Sequence, residues 1–199
     1  MQKLFILITA LFINLSVYAD NFKEDIHYQE LYTPVSASPT ITEFFSFYCG
    51  HCRNFESIMK ELKTRLPDNV SFEQRHITFM GGEMGVPMAK AYATMSVLKL
   101  TDTLVPKMFK QIQELRKGPK NEAELRQWFI SQGVDAEKFD QTYNSFIVDS
   151  MLNRFTTTFK AAQLHGVPGI VVNNKYVVLT EHLKSYDEYF DLVKYLINK

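Results

Sequence analysis

The sequence holds two cysteines in 199 residues, too few to build a disulfide-stapled scaffold. They are also too few for a structural zinc site, which takes about four ligands, commonly two Cys pairs or one pair with two spaced histidines. Basic and acidic residues balance at 22 each, so the composition offers no basic surface for nucleic acid and no charge excess for an acidic ligand. Beyond the first residues, no stretch is apolar over the ~20 positions that a membrane-spanning helix requires. Internal repeats, linkers and low-complexity tracts are missing as well. What remains is one folded domain, or one domain carrying an insertion, whose scarce cysteines serve chemistry.

The N-terminus reads as a secretory signal peptide. Lys3 precedes an apolar run over residues 4 to 15, and Val17-Tyr18-Ala19 sets small residues where cleavage is determined, so the cut is expected after Ala19, leaving Asp20 first. The alternative is an uncleaved membrane anchor. Its apolar run is short for a span, and Asn14 and Ser16 interrupt its end. Export places the cysteines in a compartment where disulfides form and persist.

Both cysteines lie in Cys49-Gly50-His51-Cys52, where one hydrophobic period gives way to another. Residues 41 to 48 are aromatic and almost continuously apolar, as in a strand buried on both faces. After them Cys52, Phe55, Met59, Leu62 and Leu66 recur at steps of three or four, the buried stripe of a helix that ends near Pro67. Cys52 is thus expected to point into the core and Cys49 to sit at the open helix start. A sulfur there lies beside unpaired N–H groups and the positive end of the helix dipole, which favours the thiolate. His51 pushes the same way when it is protonated or donates a hydrogen bond. A stabilised thiolate is a good leaving group, so the oxidised pair is an oxidant: Cys49 is attacked and forms the mixed disulfide, and Cys52 resolves it. A c-type haem attachment needs His directly after the second Cys, where Arg53 stands. A purely structural disulfide closing so short a loop removes little chain entropy.

Around this motif the pattern predicts an N-terminal arm over residues 20 to 39, with a short strand near 27 to 31. A strand over 40 to 48, a helix over 49 to 66 and an alternating strand over 70 to 79 then form a right-handed parallel βαβ unit. Gly81-Gly82 breaks the alternation. Helices follow at about 86 to 99, 103 to 117, 121 to 132 and 135 to 146, with Asn121 and Glu124 as cap and capping-box partner, and a long helix covers 148 to 164. Beyond Gly166-Val167-Pro168-Gly169, strands at 170 to 172 and 175 to 179 flank Asn173-Asn174, a pair suited to a tight hairpin. A last helix starts at Ser185, with Glu188 completing its capping box, and is expected to bury Tyr186, Tyr189, Phe190, Val193 and Ile197.

The stretch Glu43-Phe44-Phe45-Ser46-Phe47-Tyr48-Cys49-Gly50-His51-Cys52, with Phe79-Met80-Gly81-Gly82, Tyr143-Asn144-Ser145-Phe146 and Gly166-Val167-Pro168, resembles the DsbA family of periplasmic thiol:disulfide oxidases. The resemblance implies an α/β, thioredoxin-like fold interrupted by an all-helical insertion. Its thioredoxin-like parts would be residues 20–80 and 148–199, its insert 81–147, and residues 1–19 the signal peptide. It also implies a cis bond before Pro168 facing the dithiol, with Val167 offering backbone groups to an extended substrate chain as an added strand does. Glu43, a carboxylate within an apolar strand, would exchange protons with the dithiol above it. No cofactor or metal is implied. The partners would be unfolded or partly folded exported proteins with free cysteines and a quinone-linked membrane reoxidase of the DsbB type, and the protein would be a monomer.

Two positions depart from the family's pattern. Gly50 stands where well-known members carry proline, which loosens the helix start and weakens the oxidant. Gln74 stands where the family often has lysine, and Arg75 points to the other strand face, leaving Glu43 without its usual charge partner. Gly50 also favours the rival reading, an isomerase, a reductase or a specialised-client redox protein. A rival of another class is a peptide-binding chaperone with an incidental dithiol. His76 and His165 read as structural, and Met80, Met84, Met88 and Met95 chiefly as core, though thioethers also suit an apolar peptide-binding surface.

Overall fold

The computed structural model describes residues 22–199, so the expected signal peptide lies outside the described residues. Strands β1 (Tyr28–Glu30), β2 (Thr40–Phe45), β3 (Ser71–His76), β4 (Gly169–Val172) and β5 (Tyr176–Val178) form one mixed five-stranded sheet in the order β1-β5-β4-β2-β3. β2 and β3 run parallel with Glu43 beside Gln74, whereas β4 is antiparallel to β2 and β5 to β4. The hairpin loop spans 173 to 175, one residue longer than the asparagine pair alone, and Asn173 and Asn174 both adopt positive φ as expected. Buried Asn173 also accepts from Thr40 N–H at 3.2 Å and donates to the carbonyls of Leu196 and Ile197, tying the hairpin to β2 and to the end of the last helix.

The helices are α1 (Gly50–Arg65), α2 (Gly85–Val97), α3 (Thr101–Phe109), α4 (Glu122–Ser131), α5 (Ala136–Tyr143), α6 (Phe146–Ala161) and α7 (Tyr186–Ile197). α1 and α7 pack on one sheet face through Ile58, Met59, Leu62, Leu192 and Leu196, against Ile41, Ile170 and Val172. The end of α6 covers the other face, with Ala162 and Phe159 against Phe44 and Val171. A third cluster joins the insert to the dithiol: Phe45, Phe47, Cys49 and Cys52 pack with Met88, Met95, Met108, Phe109 and Phe129. Asn121, Asp135, Ser145 and Ser185 all cap helices through their side chains. In both expected capping boxes the returning carboxylate bonds one residue earlier than the box requires, Glu124 to Lys120 N–H and Glu188 to Lys184 N–H.

Three further expectations change, and β3, expected to run to 79, ends at His76. The strand expected to reach Tyr48 ends at Phe45, because the following backbone is captured locally: Cys49 N–H bonds the Ser46 carbonyl at 3.0 Å and Phe47 N–H bonds His76 Nε2 at 3.0 Å. The helix expected over 103 to 117 is α only as far as Phe109 and then widens into a π turn, Lys110–Glu114, after Pro106 has removed one N–H from its ladder. Tyr186, expected in the core, is exposed because it occupies the first turn of α7 at the rim of a groove.

Candidate active site

Cys49 is the N-cap of α1, in extended conformation, and its Sγ accepts a hydrogen bond from Cys52 N–H at 3.1 Å. Three local devices hold it there. Ser46 turns the chain out of β2, bonding Tyr48 N–H through Oγ at 3.2 Å. His76 fastens Phe47 and passes its other ring nitrogen to the Ile77 carbonyl at 2.6 Å; full burial keeps this imidazole neutral, its pKa pushed down to about 3. Gly81, at φ 92°, lets the Tyr48 ring lie where a side chain at that position would stand.

The cysteines are unbridged thiols stacked in depth. Cys52 is buried, as its spacing predicts, and burial pushes its thiol far up, with the hydrogen bond to Cys49 adding to the shift. Cys49 stands at the helix start as expected, and there it is only 5% exposed. The loop before β4 closes over it: its thiol donates to the Val167 carbonyl at 3.3 Å, and the Val167–Pro168 peptide bond is cis. His51 and Gly50 are exposed beside it. Dithiol, His51, Val167 and Pro168 thus converge on one surface, from which a groove of about 840 Å³ extends between α1 and α7, lined by Phe55, Ile58, Ile170 and Tyr186 among others.

Beneath the dithiol lies a carboxylate network. Glu43, 1% exposed, accepts from Gln74 Nε2 at 2.8 Å, and burial lifts its carboxyl to about 7 against that hydrogen bond. Gln74, a neutral donor, therefore stands in the place of the family's charged partner. Lys63 on α1 supplies a distant positive charge, Glu56 a negative one, and the charge of Glu43 in turn disfavours a Cys52 thiolate. Burial raises the Glu56 carboxyl too, against Gln74 and Lys63, which favour its charged form. Arg75 points to the opposite face, over Phe44, as the strand alternation requires.

Sequence reasoning missed Glu56, Lys63 and Gln113. Glu56 stands one turn after Cys52, a spacing that could have put it on the same helix face. Gln113 carried no local signal. It reaches from the π turn to donate to the carbonyls of Phe47 at 2.7 Å and Cys49 at 3.0 Å. His165 stands apart on the surface.

Comparison with known proteins agrees with this geometry. Residues 40–191 match the model of the DSBA-like thioredoxin domain. The chain is 34% identical to the thiol:disulfide interchange protein DsbA of Pectobacterium carotovorum subsp. carotovorum and 30% identical to that of Escherichia coli K12, each over 208 aligned residues covering 100% of both chains. A cysteine-to-serine variant of Proteus mirabilis DsbA, solved with the non-covalently bound peptide PWATCDS, superposes with a TM-score of 0.83 at 30% identity, over 90% of this chain and 100% of that one. Pseudomonas aeruginosa DsbA gives a TM-score of 0.80 at 29% identity, over 90% and 95%. The fold is the α/β, thioredoxin-like one with a helical insertion, and the activity is that of a protein thiol:disulfide oxidoreductase in disulfide-bond formation. By sequence, by fold and by the thiol pair at the head of α1, the chain belongs to the DSBA-like thioredoxin domain family.

Proposed function

We propose that Cys49 and Cys52 are the exchanging pair and that the protein donates their disulfide to newly exported proteins. The observation that carries this reading is the position of Cys49 Sγ, 3.1 Å from a helix N-terminal N–H and 3.3 Å from the carbonyl before the cis proline. A substrate thiolate attacks Cys49 Sγ, the S–S bond breaks, and the electron pair leaves on Cys52. A second substrate thiolate then attacks the substrate sulfur of the mixed disulfide and releases Cys49 as thiolate. The substrate loses two electrons and the pair gains them. Helix N–H groups stabilise the sulfur that leaves last. Cys52, buried and resistant to ionisation, takes up a proton as it leaves, and Glu43, with its carboxyl near 7, is the nearby group able to hold one. Val167 and Pro168 bind the substrate: the Val167 carbonyl, which takes the Cys49 thiol only in the reduced pair, accepts the N–H of an extended peptide when Cys49 is in a disulfide, and the groove beside His51 receives apolar side chains.

The reading places the protein in the periplasm, as a monomer, divided into thioredoxin-like parts at 20–80 and 148–199 and an insert at 81–147, and reoxidised by a DsbB-type membrane protein. Among the described residues no helix is long and apolar enough to cross a membrane. Cys52→Ala is expected to trap cysteine-containing substrates on Cys49, released by reductant. Recovery of none would overturn the oxidase reading, and full function of Cys49→Ser would favour the chaperone.

One observation favours a second reading within the same chemistry. Gly50 makes no demand for glycine, since a Cβ there meets nothing within 4 Å, yet it leaves the helix start looser than proline does. A reduction potential near about −120 mV, known for strongly oxidising family members, supports the oxidase, and one at or below about −180 mV supports the isomerase.

A further inference from the structure

The π turn Lys110–Glu114 presents two consecutive side chains to the first turn of α1. Gln113 Nε2 donates to the carbonyls of Phe47 and Cys49, and Glu114 forms an ion pair with Arg53, the residue directly after Cys52. We propose that Gln113 is a positioning residue for the dithiol, through which the insert favours the reduced pair and strengthens the oxidant. The proposal rests on the reading of Cys49 and Cys52 as the exchanging pair.

The argument starts from what fixes Cys49 in each redox state. In the disulfide, a covalent bond ties its side chain to Cys52. In the dithiol only hydrogen bonds hold the N-cap, and the Sγ contact with Cys52 N–H requires the extended backbone that Cys49 adopts. That backbone is set by its own carbonyl, which already takes Arg53 N–H at 3.2 Å and offers its second lone pair to Gln113. The neighbouring carbonyl, on fully buried Phe47, is held by the same amide. Without Gln113 the Phe47 carbonyl loses its donor and the Cys49 carbonyl keeps Arg53 N–H alone, so this stretch of backbone can rotate to pair the Phe47 carbonyl elsewhere, carrying Sγ away from Cys52 N–H. The disulfide resists that rotation and the dithiol does not, so the reduced form loses more. The Arg53–Glu114 pair, about 40% exposed on each side, fixes the register of the turn more than it adds energy.

The test uses Gln113→Ala in the full mature chain, equilibrated with reduced and oxidised glutathione beside the wild type, with thermal unfolding of both redox forms. The equilibrium is expected to move about fivefold toward the oxidised protein, on a scale where tenfold is about 30 mV. The reduced form is expected to lose more thermal stability than the oxidised form. Equal losses in both forms with an unmoved equilibrium, or a shift toward the reduced protein, would overturn the proposal. Should Gln113→Ala not fold, Glu114→Ala at the half-exposed pair is expected to shift the equilibrium the same way by a smaller factor, and no shift there overturns it equally. Failure of the wild type itself to exchange with glutathione would strike the underlying reading instead, so the two failures are separable.

Discussion

Replacing Glu43 with glutamine should stabilise the protein at alkaline pH and leave it nearly unchanged in acid. The side chain is 1% exposed, held by one neutral hydrogen bond from Gln74, and its carboxyl is lifted from the ordinary 4.5 to about 7. Between those values the folded protein holds a proton that the unfolded chain has released. Stability from this group is therefore complete below pH 4.5 and falls as pH rises through 7. A shift of this size corresponds to about 3 kcal/mol, the cost of keeping the charge buried at pH 8. Glutamine keeps the shape and can still accept from Gln74, but does not titrate. The variant's stability relative to wild type should thus grow by about 3 kcal/mol between pH 4 and pH 8. His76, whose depressed pKa makes stability fall as pH drops from 6.5 towards 3, is present in both proteins and cancels in the difference. Urea unfolding of the reduced proteins across that range measures the quantity directly. A difference that stays constant with pH would show that Glu43 does not titrate in the folded state as its burial requires.

Two further substitutions test the departures from the family pattern. Gly50→Pro adds a Cβ that meets nothing within 4 Å and falls on the first helical residue, where proline's missing N–H costs nothing. It should stabilise the fold by about 0.5–1 kcal/mol and raise the oxidising power, read by urea unfolding and glutathione equilibrium; a weaker oxidant would contradict the idea that glycine loosens the helix start. Gln74→Lys places a cation beside Glu43 in the register that pairs the two residues, so the Glu43 carboxyl should titrate below 7 and the alkaline loss of stability should shrink. An unchanged pH profile would mean that the new ammonium reaches solvent rather than the carboxylate.

The exchange chemistry was legible because it is local. An apolar strand, a turn and a periodic helix are written in consecutive residues, so the spacing of Cys52, Met59 and Leu62 places one sulfur in the core and the other at the helix cap. Exposure was not legible, because the groups that close over Cys49 come from elsewhere: Val167 lies 118 positions away and the carbonyl-bonding Gln113 lies 64 away, in a π turn that has no periodic signature. The same holds for the carboxylate network. Glu43 stood out as a charge in an apolar strand, but its partner is set by strand register, and Glu56 and Lys63 act on it from α1. Reactivity in this fold is therefore fixed by adjacent residues and its strength by distant ones. It follows that two chains with the same Cys-Gly-His-Cys segment can differ in oxidising power through positions such as 74 and 113, and that potentials should be compared at constant motif before differences are assigned to the motif itself.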